Sequence, residues 1–234
     1  MIPKIIWQTY ELEFKDLPDY LLYNFNTWKN KNPDWDIRYF SAKDRMLFVK
    51  NNYSSDIYEL YASLPISIMK KDLWQYLILN KFGGLYVDMD SVCIEAISDN
   101  INLDRDFIFS TKDKVMFWMW IILSTPNNKV LDDIINEIVF RYKKNSPKDE
   151  HYVANTTGPA TFSDTIWNIL EVPNNKIDLV KSINNLQKAI DLNMYCYGFS
   201  DKNPFEDKIV VNIDGRNIWM QHGYPNWESE AKKI

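Results

Sequence analysis

Two carboxylates one residue apart, Asp88 and Asp90, close the run Gly83-Gly84-Leu85-Tyr86-Val87-Asp88-Met89-Asp90. An apolar stretch leading straight into them predicts a strand that delivers both at the end of a sheet. Alternate residues of a strand share a face, so the pair can meet one divalent cation. Two hard oxygen ligands suit Mg²⁺ or Mn²⁺, which commonly take one or two carboxylates and complete their shells with substrate phosphates. In open α/β folds the C-terminal edge of the sheet is where ligands bind. Asp-X-Asp alone is frequent in surface turns; the glycine pair and apolar approach single this one out.

The flanking sequence supplies the elements that must hold this pair. A first buried strand is expected over 4–9, and Pro18 opens a helix to about Lys31 with Leu21, Leu22, Phe25 and Trp28 at helical spacing. Asn32-Pro33-Asp34 reads as a turn and 36–40 as a second strand. Ser41 and Asp44 form a capping-box pattern before a helix to about Asn51. Helices follow over 56–63 and from Pro65 to Lys81, the latter carrying Asp72, Gln75, Tyr76 and Leu79 on one face and ended by Phe82-Gly83-Gly84. Further strands are expected over 107–110, 115–123, 177–180 and 208–213. Helices are expected over 129–144 and after Thr157-Gly158-Pro159, with Thr157 as the cap and Pro159 in the first turn. Strands alternating with helices make this an α/β fold, and with no internal repeat the expectation is one domain over 1–234.

The 234 residues are 46% hydrophobic with a net charge of −5, which gives no electrostatic footprint for a nucleic acid. Lys70-Lys71 and Lys143-Lys144 read as solvated faces. Cys93 and Cys196 are too few for a disulfide framework, so a reducing compartment and buried thiols are expected. No apolar run reaches the ~18 residues of a membrane span and no leader opens the chain. The expectation is a cytoplasmic protein with no integral membrane segment, peripheral contact left open.

Ile2-Pro3-Lys4-Ile5-Ile6-Trp7-Gln8-Thr9, Trp28 with Asn32-Pro33, Lys71-Asp72-Leu73-Trp74-Gln75-Tyr76, and the glycine-to-carboxylate run together resemble glycosyltransferase family 32. These are the sugar-binding glycosyltransferases with an Asp-X-Asp motif, related to the catalytic domains of clostridial glucosylating toxins. The resemblance implies a GT-A fold, a Rossmann-like mixed sheet flanked by helices, which binds a nucleotide-sugar mainly through 1–110 and turns 111–234 to the acceptor and a closing segment. It implies retaining hexosyl transfer to a glycan, lipid-linked or protein acceptor, with UDP-hexose favoured over GDP-mannose as donor. A metal would neutralise the charge that grows on the departing diphosphate.

Residue by residue, the resemblance makes Asp88, Asp90 and Asp72 catalytic. Asp90 ligates the metal, Asp88 contacts ribose or sugar and shares the metal, and Asp72 hydrogen-bonds donor hydroxyls. Trp7 is placed to stack on the nucleobase, with Gln8 and Thr9 beside it and Gly84 and Tyr86 lining the donor. Gln75 stands where the family usually has arginine, so either donor preference shifts or Lys71 or Arg216 supplies the cation. In His222-Gly223-Tyr224-Pro225-Asn226-Trp227, His222 and Asn226 are candidates for the metal or diphosphate and Trp227 for the donor. Met116 to Trp120 could face an acceptor sugar, although core packing is the preferred reading. A haloacid-dehalogenase-type phosphatase with Asp88 as nucleophile, and a non-catalytic sugar-binding relic, are the rival readings.

Overall fold

A computed structural model describes residues 1–111, 114–173, 176, 180–198, 203–205 and the backbone of 210–212. His222, Asn226, Trp227 and Arg216 lie outside the described residues, as does most of the strand expected over 177–180. The described elements are β1 (Ile5–Thr9), α1 (Asp19–Lys31), β2 (Asp36–Phe40), α2 (Ala42–Asn52), α3 (Ser55–Ser63), α4 (Ser67–Phe82), β3 (Gly84–Val87) and β4 (Ser91–Cys93). They continue with α5 (Ile97–Asn100), β5 (Phe107–Thr111), β6 (Phe117–Ser124), α6 (Lys129–Lys144), α7 (Tyr152–Thr156), α8 (Pro159–Ile169), α9 (Gln187–Asp191), β7 (Met194–Tyr197) and β8 (Val210–Asn212).

Six strands form a sheet in the order β2-β1-β3-β6-β5-β7. β1 runs parallel to β2 and β3, and β5 parallel to β7, while β6 is antiparallel to both its neighbours. Five strands therefore end at one edge and β6 begins there. β4 and β8 form a small antiparallel ribbon. On one face Trp7, Tyr86, Phe107, Phe109 and Ile122 pack with α4, α6 and α8; on the other Ile6, Leu85, Val87, Ile108 and Ile121 pack with Trp28 of α1 and Ile97 of α5. Helices on both faces explain why β3 is apolar throughout instead of alternating.

Helix α4 is buried from Asp72 to Leu79, as a helix walled on all sides must be. It ends at Gly83, whose φ of 67° is the left-handed exit that glycine allows, and whose N–H donates to the Leu79 carbonyl at 2.7 Å. Gly84 follows at φ 102°, and a Cβ there would lie 2.5 Å from the Ile5 carbonyl oxygen. Glycine is thus what lets β3 lie against β1. In α2 both halves of the expected capping box are present. Two strands were not expected from the sequence: β4, with three residues, and β7, with four, are too short to show a period. The expected strand over 208–213 is represented by β8. Among the described residues no helix is long and apolar enough to cross a membrane, and both cysteines are free and buried.

Candidate active site

Strand β3 stops at Val87, one residue before the first carboxylate. Asp88 still donates its N–H to the Trp120 carbonyl of β6 at 2.9 Å, whereas Met89 and Asp90 form a turn. Strand alternation therefore does not align Asp90 with Asp88; the turn sets their relation, a correction to the sequence expectation. The turn is fixed from both sides. The Asn24 amide donates to the Met89 carbonyl at 2.9 Å and the Ser91 hydroxyl to the Asp88 carbonyl. Trp28 Nε1 donates to the Ser91 carbonyl at 3.1 Å. Met89 is buried beneath, and Asp90 stays half-exposed.

On the α4 face of the same edge, Lys71 joins two acids. Its Nζ lies 3.0 Å from Asp88 Oδ1 and 3.3 Å from Asp72 Oδ1, and 5.7 Å from the centre of the Tyr86 ring. The Tyr86 hydroxyl donates to the same Asp88 oxygen, and Thr157 Oγ1 donates to Asp72 Oδ2 at 3.1 Å. Burial alone would depress the Lys71 ammonium; Asp88, Tyr86 and Asp72 reverse that and hold it well above its usual range. Burial drives the Asp72 carboxyl up to about 6 against the pull of Lys71, with the Asp88 charge adding to the rise. Burial likewise keeps the Tyr86 phenol protonated, with Asp88 beside it adding to the effect.

Thr157 was missed as a site residue, and Lys71 was expected only as a candidate cation in place of the arginine absent at position 75. A Lys-Lys pair ordinarily reads as a solvated face, yet Lys71 is only 13% exposed; its position directly before Asp72 in an otherwise apolar helix was the available signal. Thr157 is not the cap of α8. Gly158 holds that position, with Pro159 opening the helix, which frees the threonine hydroxyl for Asp72.

Other expected donor residues serve the core. Trp7 is fully buried, stacked on Phe82 at 5.7 Å, with the Arg38 guanidinium 5.2 Å from its ring and its Nε1 donating to the Gly83 carbonyl at 2.7 Å. In this structure it presents no face for a nucleobase. Thr9 Oγ1 donates to the Phe40 carbonyl and accepts from buried Arg45, each at 2.6 Å. The space over Gly84 is filled by β1. Gln75 is fully buried, donating from Nε2 to the Met119 carbonyl at 3.2 Å. Its Oε1 and both amide atoms of Gln8 are buried without a hydrogen-bond partner. Among the described residues no group of three or more His, Cys, Asp or Glu side chains is gathered for a metal. The carboxylate pair is what this part of the chain offers one.

A mixed sheet covered by helices, with an Asp-X-Asp turn at the C-terminal edge of an inner strand, defines a GT-A glycosyltransferase fold. The solved structure "PaToxG Glycosyltransferase" superimposes on it with a TM-score of 0.58 at 16% identity, covering 99% of this chain and 87% of that one. The family model "Glycosyltransferase sugar-binding region containing DXD motif" matches residues 18–108. "Uncharacterized glycosyltransferase L373" of Acanthamoeba polyphaga mimivirus is 34% identical over 192 residues, 78% of this chain and 72% of that one. The "Initiation-specific alpha-1,6-mannosyltransferase" of Candida albicans is 27% identical over 252 residues, 90% of this chain and 64% of the relative. The chain belongs to this DXD glycosyltransferase family. It spans 64% of the Candida relative and 53% of the Schizosaccharomyces pombe protein of the same name. The phosphatase alternative is not favoured: family membership opposes it, and the motif follows the third strand.

Proposed function

We propose that the chain transfers mannose from a nucleotide-sugar to a glycan acceptor with retention of anomeric configuration, the donor held mainly by 1–110. The observation that carries this reading is the cluster of Lys71, Asp72 and Asp88 beside the Asp90 turn, at the edge where such sheets bind ligands. Mannose as the transferred sugar rests on the relatives, whose names specify mannosyl transfer. It shifts the preferred donor from a UDP-hexose to GDP-mannose.

Asp88 and Asp90 offer hard oxygen donors, Asp90 partly exposed on a turn fixed from both sides, and so fit Mg²⁺ or Mn²⁺. Bound there, the ion supplies positive charge to the departing diphosphate. Lys71 adds a fixed cation within reach of the same leaving group, in place of the arginine that Gln75 replaces. Asp72, oriented by Thr157, accepts from donor-sugar hydroxyls out of water, where a charge-assisted hydrogen bond is strongest. The acceptor hydroxyl attacks the anomeric carbon from the side of the leaving group. As the carbon–oxygen bond to phosphate breaks, the phosphate oxygen takes the acceptor proton. His222, Asn226 and Trp227 are proposed to close over the donor and exclude water.

Purified chain with Mn²⁺, Mg²⁺ or EDTA, offered GDP-mannose and UDP-hexoses with and without α-1,6-mannobiose, tests this. Hydrolysis and transfer of GDP-mannose, lost in EDTA, are expected, with product stereochemistry read by NMR. Turnover of UDP-hexoses alone would overturn the mannose assignment; no donor binding or turnover at all would overturn the reading.

A further inference from the structure

The aromatic segment at the start of β6 splits into two halves. Phe117 and Met119 are buried in the core on the α4 face, whereas Trp118 and Trp120 are half-buried, packed against the core on the other face, their ring centres 5.0 Å apart and tilted by 36°. Being antiparallel, β6 brings this end to the edge that carries Asp88, and the Trp120 carbonyl accepts the Asp88 N–H at 2.9 Å. Trp120 is thus one backbone hydrogen bond from Asp88, and Trp118 two residues away on the same strand.

The strand is also irregular here. Between paired positions β6 takes five steps, Leu123 to Trp118, where β5 takes two, Ile108 to Ser110. Irregularities of this kind re-aim side chains beside active sites. Ser110 pairs with Trp118 on one side and with Tyr197 of β7 on the other, so the three share a face. Tyr197 is half-buried, and the Ser110 hydroxyl is buried without a hydrogen-bond partner. The protein leaves part of its hydrogen-bonding capacity unused in that row.

We propose that Trp118 and Trp120 form the acceptor subsite, a platform on which one pyranose ring of the acceptor glycan lies beside the Asp88–Asp90 turn. The C–H face of a pyranose is apolar and matches an indole face, whose π-electrons attract the ring hydrogens. The groups that fit a donor sugar, Lys71, Asp72 and Thr157, lie on the opposite face of the sheet. Two ligands meeting across one edge is the arrangement that transfer needs. The proposal rests on the glycosyl-transfer reading for the identity of its ligand.

Two measurements on the full chain test it. In the first, the indole Nε1–H signals, assigned by single Trp→Phe variants, are followed by NMR while α-1,6-mannobiose is added; those of Trp118 and Trp120 should shift and the rest stay. In the second, Trp118→Leu and Trp120→Leu, which keep apolar bulk but lose the ring, should each raise the acceptor KM about three- to tenfold, the range for one aromatic contact. The phenylalanine variants should fall between, and donor hydrolysis without acceptor should stay within about twofold of wild type. An unchanged acceptor KM, indole shifts elsewhere only, or hydrolysis falling in parallel with transfer would overturn the platform. A chain that turns over no donor sinks the catalytic reading alone, since the indole titration still decides the platform.

Discussion

Lys71, 3.0 Å from half-buried Asp88 and 3.3 Å from buried Asp72, supports two negative charges in a space that otherwise disfavours them. The cost falls on Asp72, whose carboxyl is raised to about 6 by burial. The folded protein then binds more protons than the unfolded chain between the ordinary aspartate range and about pH 6. Its stability therefore falls as pH rises through that window, and the penalty is fully present above it. Asp72→Asn should remove a penalty on the order of 2–3 kcal/mol. Metal-free Asp72→Asn is expected to melt roughly 5 °C above wild type at pH 7.5, with little difference at pH 4, while losing nearly all transfer. Calorimetry across pH checks the first half; an equal difference at both pH values would show the carboxyl is not raised. Asp90→Asn should lose transfer almost completely, and full turnover would refute the metal assignment. The three acids were legible because carboxylates in apolar surroundings stand out. Lys71 was legible only as a stand-in cation for the arginine absent at position 75, and Thr157 not as a partner of Asp72, because a lysine pair and a helix-proximal threonine each have a commoner solvated or capping role.

Elements were read best where local chemistry dictates them. Helix α6 was expected over 129–144 and spans Lys129–Lys144; α2 begins at its capping box. Strands β4 and β7 owe their existence to partners distant in the sequence, β8 and β5 respectively, and three or four residues carry no period that could reveal them. The strand-to-turn switch at Val87 was missed for a similar reason: the pins that enforce it come from Asn24 and Trp28, more than sixty residues earlier. The tight glycine step from α4 to β3 gives a sharp test. Gly84→Ala combines a φ of 102° with a Cβ 2.5 Å from the Ile5 carbonyl. Neither backbone can yield without parting β1 from β3, so a loss of several kcal/mol is expected, seen as a lower denaturant midpoint or insoluble protein. Ser41→Ala removes the α2 cap and the hydroxyl's hydrogen bond to Glu13 and should cost about 1 kcal/mol with donor turnover intact.

For the molecule as a whole, the sheet separates two chemistries. Charged and hydroxyl groups for the proposed donor gather on the α4 face, and the tryptophan pair on the α1 face. Stripping divalent metal with EDTA should abolish donor turnover yet leave the mannobiose-induced indole shifts intact; loss of both would show a single shared pocket. The reversed strand β6 has an evolutionary consequence. The polarity of its pairing means that β5 ends and β6 begins at the proposed reaction edge, so this hairpin can vary without altering the strand that bears the carboxylates. Exchanging that hairpin between relatives is therefore a route by which one donor machinery could diversify its products.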